Sequence, residues 1–213
     1  MATKRAKPGK RPLYSVHPGV AMVQKWIADL PKKTGKSLDQ WIALIKAEGP
    51  HDEKARRQWL KAEHGMGSNT AGWLAQRASA GGMGIIEEDP ASYLAAAEGY
   101  VEAMYAGGKA GLKPIHDRLL MLGLGLGEDV AACPCATIVP LYRKHVFAQI
   151  KPTTKTRIDL GLALKDAPFE GRLIDTGGLK NKDRITHRIA ISHVDEIDSE
   201  VERWLRTAYD LDA

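Results

Sequence analysis

Gly65 and Gly67 flank a single methionine near the end of the first third of the chain. Directly after them come three small polar residues that favour the start of a helix: Ser68, Asn69 and Thr70. The first N–H groups of a helix have no acceptor within the helix and lie at the positive end of its dipole. This pattern therefore predicts a site that holds an anion such as phosphate on backbone amides.

Residues 60–74 resemble the helix-hairpin-helix pattern, in which an apolar-Gly-apolar-Gly hairpin leads to a second helix. In that family the hairpin amides hold a phosphate of nucleic acid. Lys61 is a candidate for a further backbone contact, and Gly67 is expected to need a positive φ. His64 stands where the pattern usually has proline. The alternative is a glycine-containing turn that only connects two packed helices.

A second candidate surface lies in the C-terminal half, where basic residues are interspersed with aromatic ones. Such mixtures on a sheet can follow a phosphate backbone and stack on bases. The alternative is the ordinary polar face of a sheet. The nucleic-acid candidates are Arg143, Lys144 and Arg157, within a wider set that also includes Tyr142, Phe147, Lys151, Lys155 and Arg172.

No motif elsewhere predicts catalysis, a metal or a cofactor. Residues 34–37 end like a phosphate-binding loop, but Leu30 occupies the position of its first glycine. Residues 123–127 follow a helix, whereas a dinucleotide-binding loop follows a strand. Cys133 and Cys135 are one residue apart, whereas zinc and redox sites usually separate their cysteines by two. We predict no catalytic residues, no metal and no cofactor; because a site built from distant residues would escape this reasoning, enzymatic activity stays open.

Apolar residues at helical spacing predict a helical domain over residues 18–79. Ser37 and Gln40 predict a capping box at the start of its second helix. The third helix is expected over residues 52–64, with three residues turned inward: Ala55, Trp59 and Ala62. Each helix carries one tryptophan, which indicates a core built on these rings, with a tryptophan platform for bases as the alternative. They are Trp26, Trp41, Trp59 and Trp73.

The glycine-rich residues 80–88 predict a linker, and residues 89–213 predict a domain of a different kind. Apolar and polar residues alternate within residues 146–150, 157–164 and 185–191, which predicts half-buried antiparallel strands. Asp198 is expected to cap a final helix. His187 falls on an apolar face, so we expect a buried histidine with its ring nitrogens satisfied. The fold class is therefore α+β, with a helical N-terminal domain followed by an antiparallel-sheet domain with flanking helices.

Charge is concentrated at the N-terminus. Residues 1–12 hold five basic and no acidic residues, which equals the net charge of +5 of the whole chain. We predict that residues 1–17 form a basic disordered tail. The apolar stretch that follows is too short for a signal peptide, and no apolar run approaches the roughly 20 residues of a membrane helix. With only two cysteines, the sequence predicts a cytoplasmic protein with no membrane partner.

Longer segments resemble two families. Residues 33–42 and 59–65 look like a bacterial helical family catalogued only as a domain of unknown function. Residues 156–162, 186–189 and 204–209 look like a second such domain, which is sometimes labelled a predicted transport protein and is similar to modules attached to nuclease-like domains. The resemblance implies a two-domain layout over nearly the full chain and carries over no catalytic residues.

The expected function is that of a binding protein, with DNA or RNA as the leading partner. A small-ligand or protein-binding module in the α+β domain is the alternative, and an enzyme is the third reading. These three classes differ in the surface they need: a positive track, an apolar pocket with a few polar groups, or a cluster of reactive side chains.

The charge of the tail gives a first testable prediction. Deleting residues 1–12 should lower retention of the protein on DNA at low salt, because these residues carry the whole net charge and exposed charges are screened as salt rises. Chromatography on immobilised DNA with a salt gradient measures this. Equal retention of the truncated and full chains would show that the tail has no such role.

Overall fold

The computed structural model describes residues 12–79 and 89–213. The predicted linker over residues 80–88 and residues 1–11 of the predicted tail lie outside the described residues. The chain divides into two compact units, which we call the helical unit and the sheet unit. The helical unit is residues 18–93, and the sheet unit is residues 94–213 together with the segment that ends at residue 17.

Four helices make up most of the helical unit: α1 Pro18–Thr34, α2 Leu38–Glu48, α3 Glu53–Ala62 and α4 Ser68–Arg77. The predicted capping box is confirmed at the start of α2. The Ser37 hydroxyl accepts the Gln40 N–H at 3.3 Å, and the Gln40 side-chain oxygen accepts the Ser37 N–H at 2.8 Å. Asp52 caps α3 by accepting the Ala55 N–H at 2.8 Å. Local capping therefore sets where these helices begin.

The core of the helical unit differs from the one that the sequence predicts. On α3 the buried residues are Arg56 and Leu60, whereas Ala62 is exposed and Ala55 and Trp59 are only partly buried. The prediction was wrong because Arg56, of a residue type that is rarely buried, takes an inward position together with Leu60. The tryptophans do not form one buried core either, since only Trp41 is buried, while Trp59 and Trp73 lie at the edge of the core and 37% of Trp26 is exposed.

Arg56 is buried because its guanidinium has acceptors on three segments. Its Nε donates to the Pro50 carbonyl at 3.0 Å, and Nη2 donates to the His51 carbonyl at 3.2 Å. Its Nη1 donates to the Ala75 carbonyl at 3.2 Å and to the Ser79 hydroxyl at 3.0 Å. A buried charge is tolerated only when it is well hydrogen-bonded. Arg56 therefore ties the α2–α3 loop and α3 to the C-terminal end of α4.

The sheet unit combines helices with one antiparallel sheet. Its helices are α5 Pro90–Met104 (which starts in the helical unit), α6 Lys113–Leu124, α7 Gly178–Asn181 and α8 Ser199–Asp210, with 3₁₀ turns at Gly107–Leu112 and Val194–Glu196. Its strands are β1 Ala131–Ala132, β2 Val139–Tyr142, β3 Val146–Pro152, β4 Ile158–Leu162, β5 Ile174–Asp175 and β6 His187–Ile191. They lie in the order β1-β2-β3-β4-β6-β5 with antiparallel neighbours throughout. The protein is therefore α+β, as the sequence predicts.

The predicted strands correspond to β3, β4 and β6. Their apolar positions form a fully buried face, which includes Ala148, Ile150, Leu160, Leu162, Ile189 and Ile191. Strand β2 was not predicted, because its sequence contains Pro140 and three of its four residues are buried, so that no alternation shows. Asp198 caps α8 as predicted, and its carboxylate accepts the N–H groups of Glu200 and Val201.

His187 is fully buried and both of its ring nitrogens have partners, as predicted. Nε2 lies 3.0 Å from the Ala167 carbonyl, and Nδ1 lies 2.7 Å from the Thr186 hydroxyl. Because a carbonyl oxygen only accepts, Nε2 carries the proton and the Thr186 hydroxyl donates to Nδ1. His187 is therefore held in one tautomer as part of the core.

Residues 14–17 contact the sheet unit, which corrects the expected end of the tail at residue 17. Tyr14 is buried, and the Ser15 N–H donates to the Ala132 carbonyl of edge strand β1 at 2.8 Å. The ring of His17 packs edge-on against Tyr142 with 5.6 Å between centroids. An edge strand offers unpaired backbone groups, and this segment occupies some of them.

Within the described ranges, every helix is too short or too polar to cross a lipid bilayer.

The acceptors around Arg56 predict a large and selective stability effect. Arg56→Met should lower the free energy of unfolding of the helical unit by about 3 kcal/mol, because it removes hydrogen bonds from a charged donor and leaves buried carbonyls without a partner. Denaturation followed by tryptophan fluorescence measures this, since four of the five tryptophans lie in the helical unit.

The neighbouring arginine provides the matched control. Arg57 is exposed, so Arg57→Met should change stability by roughly 0.5 kcal/mol or less. Equal losses in the two variants would mean that the Arg56 hydrogen bonds do not stabilise the unit.

Candidate functional site

The turn between α3 and α4 reverses the chain at Gly65. Gly65 has a φ of +62°, in the left-handed region that side chains disfavour. Gly67 has a φ of −65° and a ψ of 151°, which any residue can adopt. The expected positive φ at Gly67 is therefore wrong. The chain turns two residues earlier, so that Gly67 is extended and serves as the N-cap of α4.

Met66 anchors this turn between the two glycines. Its N–H donates to the Leu60 carbonyl at 3.2 Å, and its side chain belongs to the buried core. Both glycines are exposed. Burial of the methionine therefore fixes the turn from inside while its backbone stays accessible from outside.

The first turn of α4 is open to an anion. Gly67 has no side chain to cap the helix, and the first turn contains no acidic residue. Helix geometry leaves the amides of this turn without acceptors in the helix. Ser68 and Asn69 are exposed and Thr70 is partly buried. The structure thus places Ser68, Asn69 and Thr70 together at a positively polarised helix start.

A pocket of about 150 Å³ lies beside this helix start, between α1 and α4. Its two indole rings, Trp26 and Trp73, meet edge to face, with centroids 5.9 Å apart and planes at 76°. Cavities of about this volume admit a single benzene ring. The full lining is Trp26, Leu30, Lys33, Thr34, Asn69, Thr70 and Trp73.

Positive charge borders the pocket. The Lys33 ammonium lies 3.5 Å from the Asp29 carboxylate, in an exposed pair on α1. The Arg77 guanidinium lies 5.6 Å from the centroid of the Trp73 ring. An exposed ion pair such as Lys33–Asp29 is weak, so Lys33 keeps most of its capacity to attract an anion.

Thr34 makes the pocket wall rigid. Its hydroxyl donates to the Leu30 carbonyl at 2.7 Å and accepts from the indole N–H of Trp41 at 2.7 Å. Trp41 is buried in the core. The end of α1 is therefore tied to α2 at the point where it lines the pocket.

The sequence predicted only part of this site. Asn69 and Thr70 were candidates, and Lys33 was not considered. Trp26 and Trp73 were assigned to the core, with a platform for bases only as the alternative. One signal was present, because Trp73 lies three and four residues after Thr70 and Asn69, on the same face of α4. The pairing of α4 with α1 has no comparable signal in the sequence.

Lys61 lies exposed in the last turn of α3. The basic candidates of the sheet unit do not form one surface. Arg143 and Lys144 precede β3, whereas Arg157 follows it, so a strand of seven residues, or about 20 Å, separates them.

Two of these three side chains are also paired with carboxylates. Arg143 donates to Asp129 at 2.7 Å, and the Arg157 guanidinium lies 3.0 Å from Asp159. Phe147 is fully buried with its ring edge-on to Tyr209, so it cannot stack on a base.

Neither cysteine is poised for chemistry. Burial raises the pKa of Cys133 to about 12 and also raises the pKa of Cys135, so both are thiols at neutral pH. A thiol is a poor nucleophile and a poor metal ligand compared with a thiolate. Among the residues that the structure describes, no group of three or more His, Cys, Asp or Glu side chains is placed to hold a metal ion.

These features define a two-domain protein with a small helical unit and an antiparallel sheet unit. Residues 101–212 match the family model of Domain of unknown function (DUF5655), and residues 22–80 match that of Domain of unknown function (DUF4287). Because the first match covers more than half of the chain, the chain belongs to the DUF5655 family. The resemblance to two such domains is confirmed, while the transport label and a bacterial origin stay predictions. No curated protein and no solved structure matches the chain.

The two glycines of the turn predict opposite effects of the same substitution. Gly65→Ser should lower the free energy of unfolding by about 1 kcal/mol, because a side chain disfavours the left-handed conformation. Gly67→Ser should raise it by roughly a few tenths of a kcal/mol, because serine caps a helix better than glycine does. A Cβ meets nothing within 4 Å at either position, so steric clash does not enter. Thermal melting of the two variants measures the difference, and a shift of the same sign in both would contradict this reading.

Proposed function

We propose that the helical unit binds DNA or RNA that contains unpaired bases. A phosphate is held at the first turn of α4, and one base enters the pocket of Trp26 and Trp73. The observation that carries the proposal is that Asn69 and Thr70 belong both to this helix start and to the pocket wall. In a nucleic acid each phosphate is joined to a base through a sugar, so a phosphate position beside a base pocket suits one nucleotide.

The phosphate position is supported by polarity. The amides at the start of α4 have no side-chain cap and no neighbouring carboxylate in the first turn. Helix starts of this kind bind phosphate through N–H groups and the helix dipole. Because phosphate contacts do not distinguish bases, this part of the site is expected to be insensitive to sequence.

The base position is supported by shape and ring chemistry. The pocket has the volume for one ring, and two indoles supply faces and edges for it. Stacking of a base on an aromatic side chain contributes about 1–3 kcal/mol and tolerates any base. A base within a duplex is already stacked on its neighbours, so a single strand or an unpaired position fits better.

The charge around the site supports weak, salt-sensitive binding. Lys33 lines the pocket, Arg77 lies over the Trp73 ring and Lys61 lies on the preceding helix. For single strands the logarithm of the affinity falls with the logarithm of the salt concentration by about 0.7 for each neutralised phosphate. Two or three contacts would therefore give a shallow salt dependence.

The same proposal places the protein in the cytoplasm. Both cysteines are free, which agrees with a reducing compartment, and nucleic acid is abundant there. Neither Cys133 nor Cys135 provides a thiolate, because burial raises the pKa of both thiols, so these two side chains do not support a catalytic role.

A carboxylate placed in the first turn of α4 tests the proposal. Asn69→Asp should lower the affinity for a labelled oligo-dT strand at least about tenfold, because it puts a negative charge beside the phosphate. The same change should raise the melting temperature, since an acid at a helix start stabilises the helix by about 0.3–1 kcal/mol. Fluorescence anisotropy and thermal melting measure the two effects on one variant.

Gln58→Glu is the matched control, because it also converts an exposed helical amide to a carboxylate, on α3 of the same unit. It should leave the affinity within about twofold. Trp26→Leu should weaken binding of oligo-dT and leave duplex binding unchanged. Unchanged affinity in Asn69→Asp, together with a raised melting temperature, would show that no phosphate binds at α4 and would refute the proposal.

A further inference from the structure

A second pocket, of about 560 Å³, lies in the sheet unit. It is formed where the 3₁₀ turn at residues 107–112 approaches the end of β3 and the β3–β4 turn. Three lysines line it: Lys109, Lys151 and Lys155. Among the described residues, no aspartate or glutamate lines it. We call it the lysine pocket.

Two of the lysines are held in place by contacts. The Lys109 ammonium donates to the Pro152 carbonyl at 2.7 Å, which joins the 3₁₀ turn to the end of β3. The stem of Lys155 lies over Gly108, where an added Cβ would come within 3.2 Å of the lysine Cδ. The lysines are therefore gathered by the fold, since Lys109 and Lys155 lie far apart in sequence.

A carboxylate beside Lys151 is already satisfied by other donors. Asp159 stands opposite Lys151 in the register of β3 and β4. Its carboxylate accepts from the Thr153 hydroxyl at 2.8 Å and lies 3.0 Å from the Arg157 guanidinium. Arg188 donates to it as well, at 3.1 Å. Asp159 is thus occupied by two arginines and does not neutralise the lysines.

Three ammonium groups around one concave space repel one another, and an anion relieves this repulsion. The volume of the lysine pocket falls within the range of about 300–1,000 Å³ that small-molecule sites occupy. Thr137 contributes a hydroxyl group, while Met104 and Ala136 give it an apolar wall. This combination suits a ligand with a polyanionic group joined to a less polar body.

We infer that the lysine pocket binds a small molecule that carries two or more linked phosphates, of the class of nucleoside di- and triphosphates. Lysine ammonium groups are established phosphate partners. The inference goes beyond the proposed function, because the site lies in the other unit and takes a compact ligand.

The charges of the surrounding sheet favour a compact ligand over a nucleic-acid strand. A strand requires a continuous track of positive charge. Away from the lysine pocket, the sheet unit pairs its arginines with carboxylates: Arg143 with Asp129, Arg157 and Arg188 with Asp159, and Arg172 with Asp198 and Glu200. These paired arginines therefore do not extend the positive charge of the pocket into a track along the sheet.

Titration calorimetry of the full chain with ATP, pyrophosphate and inorganic phosphate tests the inference. The full chain should bind ATP and pyrophosphate more tightly than inorganic phosphate, because only linked phosphates reach several ammonium groups. The double variant Lys151→Gln/Lys155→Gln should lose at least about tenfold in affinity for ATP and pyrophosphate. Its melting temperature should stay the same or rise, because like charges are removed.

The matched control is Lys46→Gln/Lys180→Gln, which removes two exposed lysines outside the pocket and gives the same net charge. It should change the affinity for ATP by about twofold or less. No binding of ATP or pyrophosphate to the full chain, or equal losses in the two double variants, would overturn the inference.

Oligo-dT separates this inference from the proposed function. The pocket variant should bind oligo-dT as the full chain does, since that site is placed in the helical unit. If the pocket variant loses both oligo-dT and ATP binding, the backbone of a strand occupies the lysines, and the inference of a compact ligand is overturned. Failure of oligo-dT to bind, with ATP binding that depends on the lysines, would refute the proposed function and leave this inference standing.

Discussion

The helical unit depends on one buried arginine. The guanidinium of Arg56 donates to four acceptors: two carbonyls of the α2–α3 loop, one carbonyl of α4 and the hydroxyl of Ser79, just after α4. Small units have little apolar area to bury, so a polar contact at the centre has a large share in their stability. Arg56 holds α3 to the C-terminal end of α4, and these two helices flank the glycine turn. The proposed phosphate site is therefore positioned by a charge that never touches the ligand.

The sheet unit contains a buried charge of the opposite sign. Asp212 is 4% exposed and accepts the backbone N–H of His145 at 2.7 Å and its ring Nδ1 at 3.0 Å. The Arg184 guanidinium completes the set. Burial opposes ionisation, but these donors hold the pKa of Asp212 below its ordinary value. The C-terminal residues are thereby joined to the β2–β3 turn and to the segment before β6, which strengthens the end of the sheet opposite the lysine pocket.

Arginine and lysine have different roles in the sheet unit. Arg143, Arg172 and Arg188 each bond to carboxylates and tie elements together. Lys151 and Lys155 lie exposed at the pocket instead. Guanidinium groups suit fixed, bidentate contacts, whereas a lysine ammonium is a mobile point charge that suits a phosphate. A chain body with no net charge can therefore still present a local positive site.

The sequence by itself determined the features that depend on near neighbours. The capping box at Ser37, the cap at Asp198 and the alternation of three strands each involve residues within a turn or along one strand, so the local pattern is sufficient. Only the tertiary structure decided that Arg56 faces inward, that the left-handed residue of the turn is Gly65, and that Trp26 lines a pocket beside α4. Each of these results from contacts between different helices and not from the pattern within one helix. Whether a charged or aromatic side chain is buried depends on the partners that those contacts supply, and the periodicity of the sequence within one helix does not identify these partners.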